Sequence, residues 1–172
     1  MLKNKKYFFY LSINKKMIKY LTEEEIVKIN ELSLSKNEIF YYEQPKYVKF
    51  TLNFVENKIE NGLYKKALAY CISLVIHHAF KEGNHRTSLY SSQIFLIKNN
   101  FKQLATPESV NQIQKWRIKE LIKDDHLLER EIFKIAGIEN KKTKEKEIGK
   151  IMNSEYGNHI EEWLKKNYKI EK

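Results

Sequence analysis

Three side chains able to handle a phosphate group stand four residues apart: His78, Glu82 and Arg86. A neutral imidazole can take a proton from a hydroxyl. A carboxylate offers a hard oxygen suited to Mg2+. A guanidinium can grip phosphate through two parallel hydrogen bonds. Between them lie Gly83, which reaches backbone angles closed to residues with a Cβ, and Asn84, which can cap a helix or hold a loop. If one helix ends near residue 80 and another starts near 85, the N–H groups of the second converge on one point, where its dipole favours negative charge. A base, a metal ligand, a phosphate cradle and a phosphate clamp are the parts that phosphoryl or nucleotidyl transfer requires, since that chemistry rests on positioning and charge neutralisation.

The flanking elements must deliver these groups. Leu63–Phe80 reads as the strongest helix: Tyr64, Ala67, Cys71, Leu74 and His78 share one face, and Ile72, Val75 and Ile76 widen the apolar surface almost all round. Such a helix is central. A second helix is expected from about His85 to Lys98, with Leu89, Tyr90, Ile94 and Ile97 facing the core. Earlier, Thr22 and Glu25 form a capping-box pattern for a helix whose stripe is Ile26, Ile29, Leu32 and Leu34. Residues 38–51 are rich in aromatic and β-branched side chains around Pro45, which predicts a small hairpin or extended flap. A short helix through Phe54–Ile59 should follow and stop near Gly62. Thr106-Pro107 starts another helix, Asp124/Asp125 the next, ending at Gly137. Residues 139–150 are charged and read as a mobile linker or exposed helix start, ahead of a last helix over roughly 155–168 that packs through Ile160 and Trp163.

Bulk properties bound the rest. The 172 residues suit one domain with its own core. A net charge of +10 attracts nucleic acid, nucleotides, anionic membranes and acidic proteins without choosing among them. A single cysteine, Cys71, excludes an internal disulfide and a Cys-based zinc finger, and fits a reducing cytosol. Met1–Leu11 has the charge of a signal peptide, but its apolar stretch is short and Lys15, Lys16 and Lys19 follow. With no run near ~18 apolar residues, no membrane span is expected, and a cytoplasmic location is.

The run His78-Ala79-Phe80-Lys81-Glu82-Gly83-Asn84-His85-Arg86 resembles the Fic/Doc signature His-x-Phe-x-(Asp/Glu)-Gly-Asn-x-Arg, matched at His78, Phe80, Glu82, Gly83, Asn84 and Arg86. Leu21–Asn30 resembles the first helix of the Doc-like, death-on-curing branch, and Phe95–Asn100 the end of the helix after the motif. The resemblance covers about 20–137. It implies an all-α fold, a Fic-type helical bundle with a small β-hairpin flap, with 1–138 as catalytic domain and 139–172 as charged linker and C-terminal helix. It further implies Mg2+-dependent transfer of AMP or phosphate from a nucleotide, usually ATP, to a hydroxyl of a target protein. By similarity His78 is the base and Arg86 acts with it, Phe80 anchors the loop in the core, and Glu82 holds the metal. Gly83, Asn84, His85, Arg86 and Thr87 meet the nucleotide phosphates, and the flap clamps the target. The setting implied is the toxin of a toxin–antitoxin pair, with a translation factor among the candidate targets.

AMP-transferring members usually carry Gly and a second Arg where this chain has His85 and Leu89. Doc-like members, some of which transfer phosphate, also lack that Arg, and Thr87 is Doc-like. The family's inhibitory signature, (Ser/Thr)-x-x-x-Glu-(Gly/Asn), is not found, so restraint is expected from a separate antidote protein. His77 reads as structural. Zinc at His77, His78 and Glu82 is disfavoured, because helix neighbours point about 100° apart. The charge of His78 is a balance: a helix C-terminus and Glu82 raise its pKa, whereas burial and Arg86 lower it. For His85, a nucleotide contact, a solvated side chain and a steric block all stay open. The alternative to the enzyme is a catalytically degenerate Fic-fold protein that binds protein or nucleic acid through basic stretches such as Lys141–Lys150.

Overall fold

The computed structural model describes residues 17–60, 62–104 and 133–171. The segment Met1–Leu11, the helix expected from Thr106-Pro107 and the start of the one expected from Asp124/Asp125 lie outside these; the end of the latter is described, helical over 133–136 and turning at Gly137 as expected. The described residues are predominantly helical, as expected. Helix α1 is Glu23–Ser33, α2 Pro45–Lys58, α3 Leu63–His77 and α4 Asn84–Lys98. Strand β1, Phe101–Gln103, follows; α5 is Lys141–Met152, α6 Glu155–Asn167 and β2 Tyr168–Ile170.

The capping box of α1 is formed on both sides: Thr22 Oγ1 accepts from the Glu25 N–H at 3.2 Å, and the Glu25 carboxylate accepts from the Thr22 N–H at 2.8 Å. Ile26 and Ile29 are buried, but Leu32 is exposed; the polar Asn30 takes the inward position instead. Helix α3 is buried on every side from Lys66 to His77, and α2, α4, α5 and α6 all pack on it. In α4 the core residues are Leu89, Phe95 and Leu96, whereas Ile97 faces solvent. The inward face of α4 also carries Thr87, Ser88, Ser91 and Ser92. Those hydroxyls blur the apolar periodicity, so the expected core face, which includes Ile97, is rotated from the one the helix buries.

The flap is the main correction. Residues 38–51 do not form a hairpin, because Pro45 opens α2. Its locked φ suits the first helical turn. Val48, Thr51, Phe54 and Val55, at helical spacing, then bury one face against α3. Tertiary burial overrode the β propensity of the aromatic and branched residues. Only the stretch before Pro45 is strand-like, with one antiparallel bridge from Tyr42 to Phe80. The antiparallel strand pair lies elsewhere: β1 joins β2 in the register Phe101↔Ile170, Lys102↔Lys169 and Gln103↔Tyr168.

Of the two readings of the charged stretch 139–150, the helix start is the one found and the linker is not, but the helix is not wholly exposed. Asn140 caps α5, accepting from the Thr143 N–H at 3.0 Å, and Lys144, Ile148 and Met152 are buried in one stripe. Three inward positions among lysines give a weak apolar signal, and Lys144 contributes its methylene stem rather than an apolar side chain. Ser154 caps α6, whose Ile160 and Leu164 are fully buried and whose Trp163 packs against the core.

Candidate active site

The loop from His78 to Gly83 joins α3 to α4, and two left-handed residues bound it. His78 ends α3 at φ 45, ψ 57, and Gly83 precedes α4 at φ 75, ψ 5. Gly83 suits this position on two counts. Its φ is one that side chains resist, and a Cβ would come within 2.9 Å of Leu34 Cδ2 and 3.0 Å of Asn30 Nδ2. The turn is closed by Asn84, whose Oδ1 accepts from the Phe80 N–H at 3.0 Å while its Nδ2 donates to the Phe80 carbonyl at 2.6 Å. Phe80 is buried and stacks on Tyr42, with ring centroids 5.1 Å apart.

A second support comes from α1. Asn30 Nδ2 donates to the Glu82 carbonyl at 2.8 Å and to Thr87 Oγ1 at 2.9 Å. Thr87 Oγ1 in turn donates to the Gly83 carbonyl at 2.9 Å. The hydroxyl of Thr87, expected near a phosphate, is thus buried and engaged within the loop. Sequence reasoning passed over Asn30. The signal was a polar residue four places after Ile26, on the apolar stripe of α1.

These supports bring His78, Glu82 and Arg86 to one turn at the N-terminus of α4, whose first N–H groups lack intrahelical acceptors. His78 keeps one side open to solvent, while the protein shields the rest. That loss of water pushes its pKa below the ordinary imidazole value, the direction that favours the neutral form. The His85 ring meets it edge-on, with centroids 5.4 Å apart. His85 therefore sits against the candidate base, and not out in solvent. Leu89, where a second clamp would stand, is fully buried.

Two site groups already have partners from the segment between α1 and α2. The Arg86 guanidinium binds both carboxylate oxygens of Glu38 and donates to Ser35 Oγ at 3.0 Å. The Glu82 carboxylate accepts from the Ile39 N–H. Glu38 also accepts from the Ser35 N–H at 2.6 Å, and with the Arg86 guanidinium as the main cause its carboxyl is held down to about 2. Neither Ser35 nor Glu38 was expected at the site; their Ser-x-x-Glu spacing was the available signal. An open groove of about 320 Å³ lies beside Tyr42 on α1, lined by Glu23, Glu24, Val27, Lys28 and Glu31 and by none of His78–Thr87.

A left-handed glycine turn at a helix N-terminus, with His78, Glu82 and Arg86 around it, is the feature these contacts build. Residues 8–96 match the model of the Fic/DOC family, and the chain belongs to that family. The match starts before the expected boundary near 20 and ends short of 137. Membership accords with a general AMP- or phosphate-transfer activity. No curated protein and no solved structure matches the chain. Among the described residues no helix is long and apolar enough to cross a membrane.

Proposed function

We propose that this chain is a Mg2+-dependent transferase that moves AMP or phosphate from ATP to a hydroxyl side chain of a target protein in the cytoplasm. The observation that supports it is the left-handed glycine turn at the α4 N-terminus, which His78, Glu82 and Arg86 flank. In this reading the neutral His78 takes the hydroxyl proton. The freed oxygen bonds to phosphorus as the bond to the leaving group breaks, releasing pyrophosphate from the α-phosphorus or ADP from the γ-phosphorus. The backbone of Gly83–Arg86 receives phosphate oxygens, and Arg86 exchanges Glu38 for one of them.

The half-buried carboxylate of Glu82 fits Mg2+ as a single protein ligand. The described residues hold no cluster of three acidic, His or Cys side chains, and Mg2+ prefers one or two carboxylates completed by phosphate and water. When bound, the ion would neutralise phosphate charge. The bulk of His85 and the buried Leu89 favour a Doc-like transfer of phosphate over the usual AMP transfer. The setting proposed is a toxin restrained by an antidote protein, with a translation factor as target.

Incubation with soluble cytosolic proteins, Mg2+ and ATP labelled at either the alpha or the gamma phosphate tests this reading. Alpha label on protein means AMP transfer and gamma label means phosphorylation. Equal labelling by the wild type and His78→Ala would refute the enzyme.

A further inference from the structure

His77 stands beside the candidate base and turns the other way. It is buried, and its Nδ1 lies 2.8 Å from the Ser73 carbonyl. A carbonyl only accepts, so Nδ1 carries the proton and Nε2 keeps a bare lone pair. Nε2 is buried with no hydrogen-bond partner. Tyr47 stacks on the ring at 4.8 Å and Phe50 meets it edge-on at 4.9 Å. Ser73 and Thr51 share a 2.7 Å hydrogen bond, which joins α3 to α2 at the same level.

The C-terminal part of the chain also reaches this aromatic pair. Lys144 of α5 is buried, and its Nζ donates to the Ala136 carbonyl at 3.0 Å. Nζ lies 5.1 Å from the Tyr47 ring centroid and 5.7 Å from that of Phe50. Lys46 places a second ammonium 4.9 Å from Tyr47. Lys144 falls outside the matched family segment.

We propose that His77 and Lys144 are positioning residues that hold His78 in its reactive place. The inference rests on His78 being the base. A left-handed histidine relaxes to ordinary backbone angles unless both flanks are fixed. On the far flank, the Ala79 carbonyl accepts from the Gln44 N–H at 3.0 Å and Phe80 is buried and bonded to Asn84. On the near flank, His77 is the anchor, packed by Tyr47 and Phe50, and Lys144 packs against the same two rings. Filling the core does not require a histidine: an apolar ring would pack there without leaving Nε2 orphaned, which costs about 1–3 kcal/mol. Desolvation, with Lys144 close by, lowers the His77 pKa to about 4, so His77 stays uncharged while His78 exchanges protons.

The test uses the full chain, with His77→Phe, Lys144→Met, Lys144→Arg and His78→Ala. Two readouts are taken: the NMR titration of the His78 imidazole, and the rate of label transfer from Mg–ATP to soluble extract proteins. His77→Phe keeps a ring between Tyr47 and Phe50 and loses the bond to Ser73. Both His77→Phe and Lys144→Met should slow transfer by roughly ten- to a hundredfold, as misplaced catalytic groups do. The ATP concentration for half-maximal rate should stay within about twofold, because nucleotide binding is untouched. In both variants the His78 titration should rise toward the ordinary imidazole value as its ring enters water. Lys144→Arg, which keeps the cation, should restore the wild-type rate. Wild-type rates and an unchanged His78 titration in both variants would overturn the inference and leave the cluster as packing alone. If His78→Ala retains transfer, the base assignment falls instead, while the His78 titration still decides the positioning. Should Lys144→Met fail to fold, His77→Phe carries the test.

Discussion

The site has a floor and a rim, and they are built by different physics. The floor is His77 with Tyr47, Phe50, Ser73 and Lys144, held by ring packing and hydrogen bonds around a buried imidazole. The rim is Arg86 with Ser35 and Glu38, and Glu82 with the Ile39 N–H, held by charge and hydrogen bonds at a half-open surface. Burial makes the floor rigid, since leaving it exposes apolar surface and strands polar atoms. Solvent makes the rim exchangeable, because a phosphate can replace a carboxylate on a guanidinium at little net cost. His78 follows His77 directly in the chain, and its ring meets that of His85 edge-on.

The comparison can be broken most severely at His78. His78→Ala should lower transfer by roughly two to four orders of magnitude, the usual worth of a general base. Labelling kinetics with alpha- and gamma-labelled ATP measure it.

The floor should show itself in acid. His77 has a folded pKa of about 4 against an ordinary 6.5. The unfolded chain therefore takes up a proton first as pH falls, and stability declines between pH 6.5 and about 4 before levelling off. The full loss from this group is on the order of 3 kcal/mol. Urea melts across that window, with His77→Phe as the variant that flattens it, provide the check.

Smaller effects sharpen the contrast. His78→Gly removes a left-handed side chain and should raise stability by about 1 kcal/mol while abolishing transfer. A thermal melt beside the labelling assay reads both. At the rim, Glu38→Gln should tighten Mg–ATP binding by about three- to tenfold, the value of a partly exposed ion pair with good geometry. Calorimetric titration of both proteins tests it, and equal affinities would mean that Glu38 does not compete. The Glu38 carboxyl titrates only near about 2, so no gain from acid is expected above pH 4.

Legibility followed the range of the forces involved. The capping box at Thr22 and the turn at Gly83 are local, and both were readable. The helix at Pro45–Lys58 was misread because Tyr47, Val48 and Phe50 favour strands in isolation, and only burial against α3 reverses that. Asn30 and Glu38 lie 57 and 48 positions from their partners Thr87 and Arg86, and no local pattern pairs them.

The sequence by itself determined the types of group at the site, their order around a glycine and the helical character of the flanks, because these depend on backbone torsions and near neighbours. Tertiary structure decided which carboxylate sits on Arg86, that the flap pairs with Phe80, and that Lys144 reaches the rings beneath His78. Those choices depend on which surfaces exclude water from one another, a property of the packed chain that no short stretch contains.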